Sequence, residues 1–286
     1  MTLVDSLQRS IDYMENHILE DISVEAVANH ADMSVFHFQR MFTLLTEVPV
    51  AEYLRKRRLT LAAHELSKTS LKVIEIALKY GYDTPESFAK AFKKQHGITP
   101  REAKCYTGKV QSYNRLVIQV NVKGAEPMVY HMVEKGPIQV VGMKRELSCE
   151  NGENQRVIPK LWEQVNEDGT SEELNKLNDG DIQGLLGVCV DKSHVQANLM
   201  DYWIAAAHKG EMPEHFSNLE LPASKWAVFE VHGPMPLSIQ KVWKQIYSEW
   251  FPSSGYEHAG TPDLEVYSAD DPFSKDYYSE IWIPVK

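Results

Sequence analysis

The sequence is short of the features that mark secreted, membrane-bound and catalytic chains. Its 286 residues hold three cysteines, Cys105, Cys149 and Cys189, at least forty positions apart. That spacing forms neither a disulfide framework nor a zinc cluster, and it fits a reducing cytoplasm. No run of eighteen apolar residues occurs, so no membrane span and no membrane partner is expected. The opening stretch, MTLVDSLQRSIDYMEN, carries acids and lacks the apolar segment of a signal peptide. A Gly-rich phosphate loop, a nucleophile elbow and a His-Glu-x-x-His pair are all missing. The eleven histidines are scattered. His208 and His215 form the nearest downstream pair and read as solvated loop residues. No cofactor, no metal site and no catalytic residue is expected.

Charge of one sign is present but unevenly placed. The net charge of −10 argues against a nucleic-acid partner when taken globally. Residues 1–107 hold 14 basic and 14 acidic residues, which leaves 16 basic and 26 acidic beyond them. Within 36–104 the count is 13 basic against 7 acidic. Local field decides what a surface attracts, and the basic field collects on one segment.

That segment carries a repeat. HFQRMF (His37–Phe42) and SFAKAF (Ser87–Phe92) share Phe-x-basic-x-Phe: Phe38, Arg40 and Phe42, then Phe88, Lys90 and Phe92. Leu3, Leu7, Ile11, Met14 and Ile18 recur at three and four, the stripe of an amphipathic helix. Ser23 can cap the helix that follows, and Ser34 the one after the turn Asp32-Met33-Ser34. In the second copy Ile76-Ala77 matches Val27-Ala28, and Gly81-Tyr82-Asp83 matches the turn. Gly81 suits a positive φ, and Asp32 tolerates it better than most residues. AEYLRKRRLTLAAHELSK reads as one long connecting helix. Two helix-turn-helix units on a rigid connector can set two recognition helices about 34 Å apart, in adjacent major-groove segments of duplex DNA. A plain helical bundle with an internal repeat is the bland alternative. Arg40 and Lys90 point to DNA, Lys93 and Lys94 to phosphates, and the Arg55–Arg58 run is equally a solvated face.

The stretch RRLTLAAHELSKTSLKVIEIALKYGYDTPESFAKAFKKQHGITPREAK resembles the AraC/XylS family of transcription regulators, over Ile22 to Arg101. Phe36–Phe42 is similar to the corresponding helix of Rob-like members, with Phe36 where those carry Trp. The resemblance implies an all-α double helix-turn-helix DNA-binding domain over 1–106. It implies contacts from Ser34, Phe36, His37, Gln39 and Arg40 in the first unit, and from Thr84, Glu86, Ser87, Lys90, Lys93 and Lys94 in the second. The family often has two Gln and an Arg in the second unit, where this chain has Pro85, Glu86 and Lys90. Glu86 can accept from a cytosine amino group or simply cap its helix. Lys90 in place of Arg loses bidentate guanine readout. Activation of transcription, RNA polymerase as a partner and a nucleoid-associated place in the cytoplasm are also what the resemblance implies.

From about Thr107 the text turns strand-like, and all six Trp lie beyond it. Runs at 115–122, 128–134 and 139–145 read as strands, with 107–126 as linker and first strand region. IPKLWEQV (Ile158–Val165) and IQKVWKQI (Ile239–Ile246) share Ile, Lys, Trp and Gln at one spacing. Strand-like text precedes and follows each. The pattern predicts an α+β domain of two duplicated strand-helix-strand-strand units over 127–286. A pocket at their pseudo-twofold would draw on Trp162 and Trp243, with Tyr202, Trp203, Tyr267, Phe229 and Trp282. Glu265 and Glu280 stand among apolar residues, either facing water or buried opposite a cationic ligand. A core role for the aromatics is the bland alternative.

LWEQV, DLEVY and SEIWIPVK are similar to the GyrI-like effector-binding domains appended to Rob-like regulators. In multidrug-sensing relatives a Glu at the position of Glu265 faces lipophilic cations, and the acid at Glu280 can line the same cavity. The resemblance implies an effector site at Glu265, Glu280, Tyr202, Trp203, Tyr267 and Trp282 for a small organic, cationic or amphipathic ligand. Two other readings stay open. The second domain could be a small-molecule hydrolase with Glu265 as general base, or an effector-free module that recruits a partner. Fusion to a DNA-binding half makes sensing the simpler one, and no enzyme activity is expected.

Overall fold

The computed structural model of the chain describes residues 3–105, 110–118, 127–149, 153–192 and 198–286. Backbone packing divides these into two compact units. One holds 3–33 and the described residues of 48–118; the other holds 34–47 and everything described from 127 onward.

The first unit is helical. Helix α1 (Leu3–Asn16) buries Leu7, Ile11 and Met14 along the expected stripe. Ser23 accepts the Ala26 N–H and starts α2 (Val24–His30). The turns after α2 and after the later helix α5 hold Asp32 at φ 54° and Gly81 at φ 79°, as their residue types suggest. Helix α3 (Val35–Thr46) belongs to the second unit. The connector is α4 (Val50–Lys68), followed by α5 (Val73–Lys79), α6 (Pro85–His96) and α7 (Pro100–Ala103). Thr84 caps α6 by accepting the Ser87 N–H, Pro85 takes the first turn, and Gly97 closes the helix at φ 78°. Phe88 and Phe92 are buried with Leu59, Ala62, Ile76 and Ala77.

One expected strand is not seen among the described residues. Residues 115–118 are irregular, and the rest of the 115–122 run lies outside the described residues. Helix α4 holds this segment through side chains instead: Tyr113 N–H donates to Thr60 Oγ1 at 3.0 Å, and Leu116 N–H to the Tyr53 hydroxyl at 3.2 Å. The Leu116 N–H, which a strand would pair, is thus taken by a side chain of α4. Of the expected linker and first strand region, 107–109 and 119–126 lie outside the described residues.

The second unit is α+β. Its strands are β1 (Tyr130–Lys135), β2 (Ile138–Ser148), β3 (Leu185–Asp191), β4 (Leu199–Ala207), β5 (Ser217–Leu221), β6 (Ser224–His232), β7 (Asp263–Tyr267) and β8 (Tyr278–Val285). They form one antiparallel sheet in the order β1-β6-β8-β7-β3-β4-β2-β5. Exchanging β1–β4 with β5–β8 and reversing this order returns the same order. Helices α8 (Glu153–Glu167), α9 (Thr170–Leu177), α10 (Leu237–Gln245) and α11 (Phe251–Ser254) complete the unit, with a π-helical turn at Ile246–Trp250. Side chains alternate across the sheet. One face buries Val188, Trp203, Trp226, Leu264, Val266 and Trp282. The other packs Cys189, Tyr202 and Ile204 against Leu161 and Val165 of α8, and Phe36 of α3 joins that layer.

Candidate functional site

The strand DLEVY places Asp263, Glu265 and Tyr267 on the helix-bearing face, with Leu264 and Val266 turned to the opposite core. Glu265 is paired across the sheet with Gly187 of β3. A Cβ at 187 would stand 2.6 Å from the Tyr202 hydroxyl and 3.3 Å from Glu265 Oε2, so only glycine leaves room for both. Trp243 of α10 donates its indole N–H to Glu265 Oε1 at 2.7 Å, and the Tyr267 hydroxyl donates to Oε2 at 2.9 Å. Trp162 of α8 donates to the Tyr202 hydroxyl at 2.8 Å, and its ring meets Tyr267 edge-on at 4.8 Å. Burial pushes the Tyr202 and Tyr267 hydroxyls well above the ordinary tyrosine range, with the Glu265 carboxylate adding to the shift. Both therefore stay neutral, Tyr267 donating to Glu265 and Tyr202 accepting from Trp162.

These groups line a cavity of about 640 Å³, within the size range of small-molecule sites. Its apolar walls come from Ile158, Leu185, Ile239, Phe36 and Leu44, and its one deeply placed carboxylate is Glu265. A preformed carboxylate held by an indole and a phenol, in a cavity that a second indole also lines, can hold an organic cation by charge and by ring faces.

Helix α3 closes one side of this cavity. Its Arg40 guanidinium lies 3.6 Å from the Trp243 ring centroid. Nη1 donates to Asp263 Oδ2 at 3.2 Å and Nη2 to Glu265 Oε1 at 3.3 Å. Burial opposes the Arg40 charge, yet Asp263 and Glu265, beside the Cys189 thiol, raise its pKa above the ordinary arginine value. Gln39 Nε2 donates to Asn198 Oδ1 at 2.6 Å. At the far end of α3, Lys244 Nζ reaches Glu47 Oε1 at 2.7 Å. Phe36, 3% exposed, is packed with Leu147, Leu161 and Tyr202. Ser34 caps α3 by accepting the His37 N–H at 3.3 Å.

A second cluster sits beside Arg40. The rings of His37 and His258 lie 3.8 Å apart, and His258 Nε2 meets Asp263 Oδ1 at 2.7 Å. His37, His258 and Asp263 offer ligand atoms within 4.8 Å of one another. Gly260 N–H donates to His258 Nδ1, so His258 carries its proton on Nε2 and donates to Asp263. That bond and the Arg40 contact already occupy both Asp263 oxygens, which fits a hydrogen-bonded ion cluster better than a metal centre. Burial pushes the Asp263 carboxyl up, but His258 and His37 outweigh it and hold the carboxyl well below its ordinary range.

The expected residues therefore separate into groups. Glu265, Tyr202 and Tyr267 meet in the cavity. Glu280, Trp203 and Trp282 do not join them. Glu280 is opposite Val266 and Trp282 opposite Leu264, on the other face of the sheet. There Glu280 accepts from the Tyr278 hydroxyl at 2.5 Å and the Trp282 indole at 2.7 Å. Trp203 lies in that same core. On α6, Thr84, Glu86, Ser87, Lys90, Lys93 and Lys94 are all exposed. On α3, His37, Gln39 and Arg40 are engaged inside the second unit. Gly187, Asp263 and His258 escaped the sequence reading. The repeat alone marks Trp162 and Trp243 in the sequence, and the structure sets both on the cavity wall.

Residues 128–286 match the family of GyrI-like small molecule binding domains, and residues 27–104 match a helix-turn-helix domain family. The HTH-type transcriptional activator AarP of Providencia stuartii is 42% identical over 88 residues, 31% of this chain and 65% of that protein. The regulatory protein SoxS of Salmonella typhimurium is 33% identical over 96 residues, 34% of this chain and 90% of that protein. The chain thus spans just under two thirds of the length of AarP. The solved structure of SAV2435 bound to tetraphenylphosphonium superposes with a TM-score of 0.50 at 26% identity, over 56% of this chain and 94% of that one. The chain belongs to the AraC-type helix-turn-helix regulators and carries a GyrI-like small molecule binding domain.

Proposed function

We propose that the chain is a ligand-responsive transcription regulator that works in the cytoplasm and activates its promoters through RNA polymerase. Helices α3 and α6 each enter a major-groove segment of duplex DNA. Arg40, Gln39 and His37, with Ser34 and Phe36 at the start of α3, form one contact set. Thr84, Glu86, Ser87, Lys90, Lys93 and Lys94 form the other. The domain limits proposed are 1–106 for DNA and 127–286 for the effector. The effector domain is a duplicated strand-helix-strand-strand unit, a reading supported by the palindromic strand order and by the paired Trp162 and Trp243.

The effector is a small organic cation with aromatic or apolar bulk. The observation that carries this is Glu265, held by Trp243 and Tyr267 in a cavity of about 640 Å³ that Trp162 also lines. The ligand named for SAV2435, tetraphenylphosphonium, has this chemistry. Both Glu265 oxygens already accept hydrogen bonds from fixed donors, an arrangement suited to holding a cation rather than to general-base work. Calorimetric titration of the full chain tests the reading. Tetraphenylphosphonium should bind, and Glu265→Gln should weaken it at least tenfold, while tetraphenylborate, the anion of the same shape, does not bind. Equal binding of cation and anion, or an unaffected Glu265→Gln variant, would refute it.

A further inference from the structure

The cavity that would take a cation already holds one, and it comes from the chain itself. Arg40 stacks on Trp243 at 3.6 Å and donates to Glu265 Oε1, the oxygen that also takes the Trp243 indole N–H. The Arg40 side chain is only 14% exposed. One indole face and one carboxylate edge cannot serve two cations at contact distance. The same Arg40, with Gln39, lies on the helix proposed to read DNA, and neither side chain can touch a base while bonded to Asp263, Glu265 and Asn198.

We infer that Arg40 is a built-in occupant of the effector site, so that effector binding and release of α3 for DNA form one equilibrium. The inference rests on the sensor reading above and adds its regulation. In the closed form Arg40 bridges Glu265 and Asp263, and the base-reading side chains of α3 are turned into the effector domain. In the open form the organic cation takes the place of Arg40 on Trp243 and Glu265. Asp263 keeps its His258 partner at 2.7 Å. Both forms leave each carboxylate hydrogen-bonded, Asp263 by His258 and Glu265 by Trp243 and Tyr267, so neither is stranded without a donor when Arg40 leaves. Gln39 to Asn198 and Lys244 to Glu47 hold the closed form from outside the cation site, and the buried Phe36 holds it from the cavity wall. Linkage is reciprocal: the cation must tighten DNA binding by the same factor by which DNA tightens cation binding.

The test uses the full chain, tetraphenylphosphonium and a random-sequence duplex at low salt. Glu265→Gln should bind the cation more weakly and the duplex about fivefold or more tightly, because it loosens Arg40. Saturating cation should tighten duplex binding by wild type and leave Glu265→Gln unchanged. Gln39→Ala alters no charge and lies outside the cation site. It should tighten cation binding about two- to tenfold, the loss of one hydrogen bond from the closed form. Arg40→Gln should tighten it further. A misfolded variant would lose both ligands, whereas Glu265→Gln is expected to move them in opposite directions, and Gln39→Ala provides a second route should Glu265→Gln not fold. If Glu265→Gln loses the cation while Gln39→Ala and Arg40→Gln bind it as wild type does, the sensor reading stands and the occupancy of Arg40 is overturned. If no form of the chain binds the cation, the sensor reading fails and this inference with it.

Discussion

Replacing Gly187 by alanine adds one methyl group at the most crowded point of the cavity wall. Gly187 lies in the extended backbone of β3, so backbone conformation alone does not forbid the change. The new Cβ would stand 2.6 Å from the Tyr202 hydroxyl and 3.3 Å from Glu265 Oε2. Tyr202 must retreat by several tenths of an ångström, yet it is 1% exposed and its hydroxyl receives the Trp162 indole N–H at 2.8 Å. Overpacking of this kind costs about 1–3 kcal/mol, and a strained or lost hydrogen bond adds about 0.5–1.5 kcal/mol. The lower entropy of an unfolded chain with alanine returns about 0.4–1 kcal/mol. The net expectation is a loss of about 1–3 kcal/mol, or roughly 2–10 °C in the melting of the second unit. Gly136, whose added Cβ would meet nothing within 4 Å, is the control. Gly136→Ala should be neutral to slightly stabilising. Thermal melts followed by tryptophan fluorescence read both variants. A Gly187→Ala chain as stable as Gly136→Ala would refute the packing argument for the cavity wall.

Lys90 is exposed on α6, and Lys90→Ala should lower the slope of log affinity against log salt on duplex DNA by about one; an unchanged slope removes Lys90 from the phosphate contacts. Two histidines should give stability opposite pH dependences. Burial and the neighbouring His37 hold His258 below its ordinary value despite Asp263. Its contribution is therefore full above the unfolded value near 6.5 and is lost as pH falls through its folded value. His208 is raised by the Glu211 carbonyl against burial, with help from the Leu177 carbonyl and Asp179. Its contribution is full below about 6.5 and is lost as pH rises through its folded value. Urea unfolding between pH 5 and 8 should show His208→Gln costing most at the acid end and His258→Gln costing most at the alkaline end; parallel profiles would contradict both assignments.

Helix positions were legible because their physics is local. The Leu7-Ile11-Met14 stripe, the Ser23 and Ser34 caps and the turns at Asp32 and Gly81 need only neighbours within one or two turns of chain. Strands rich in branched and aromatic residues, such as IQVVGM and SEIWIPV, were equally plain. The 115–118 segment reads as a strand because Leu116, Val117 and Ile118 carry strand propensity, yet Tyr53 takes the Leu116 N–H and Thr60 the nearby Tyr113 N–H, contacts across more than fifty residues. The short polar elements α9 and β5 carried too little periodicity to register. The two acids show what sequence cannot decide alone. Glu265 and Glu280 sit in similar apolar text, yet β7 and β8 pair with Glu265 opposite Ile281. That register sends Glu265 to the helix-bearing face and Glu280 to the other. Asp263 and Gly187 gain their meaning only from the same pairing, and Arg40 gains its place beside them from the seating of α3.

The most direct measurement is a crystal structure of the full chain with tetraphenylarsonium, whose arsenic is located by its anomalous signal. The account predicts the arsenic in the cavity between Trp162 and Trp243, beside the Glu265 carboxylate, with Arg40 withdrawn from the Trp243 face. Arsenic bound elsewhere, with Arg40 still seated on Trp243 and Glu265, would contradict it.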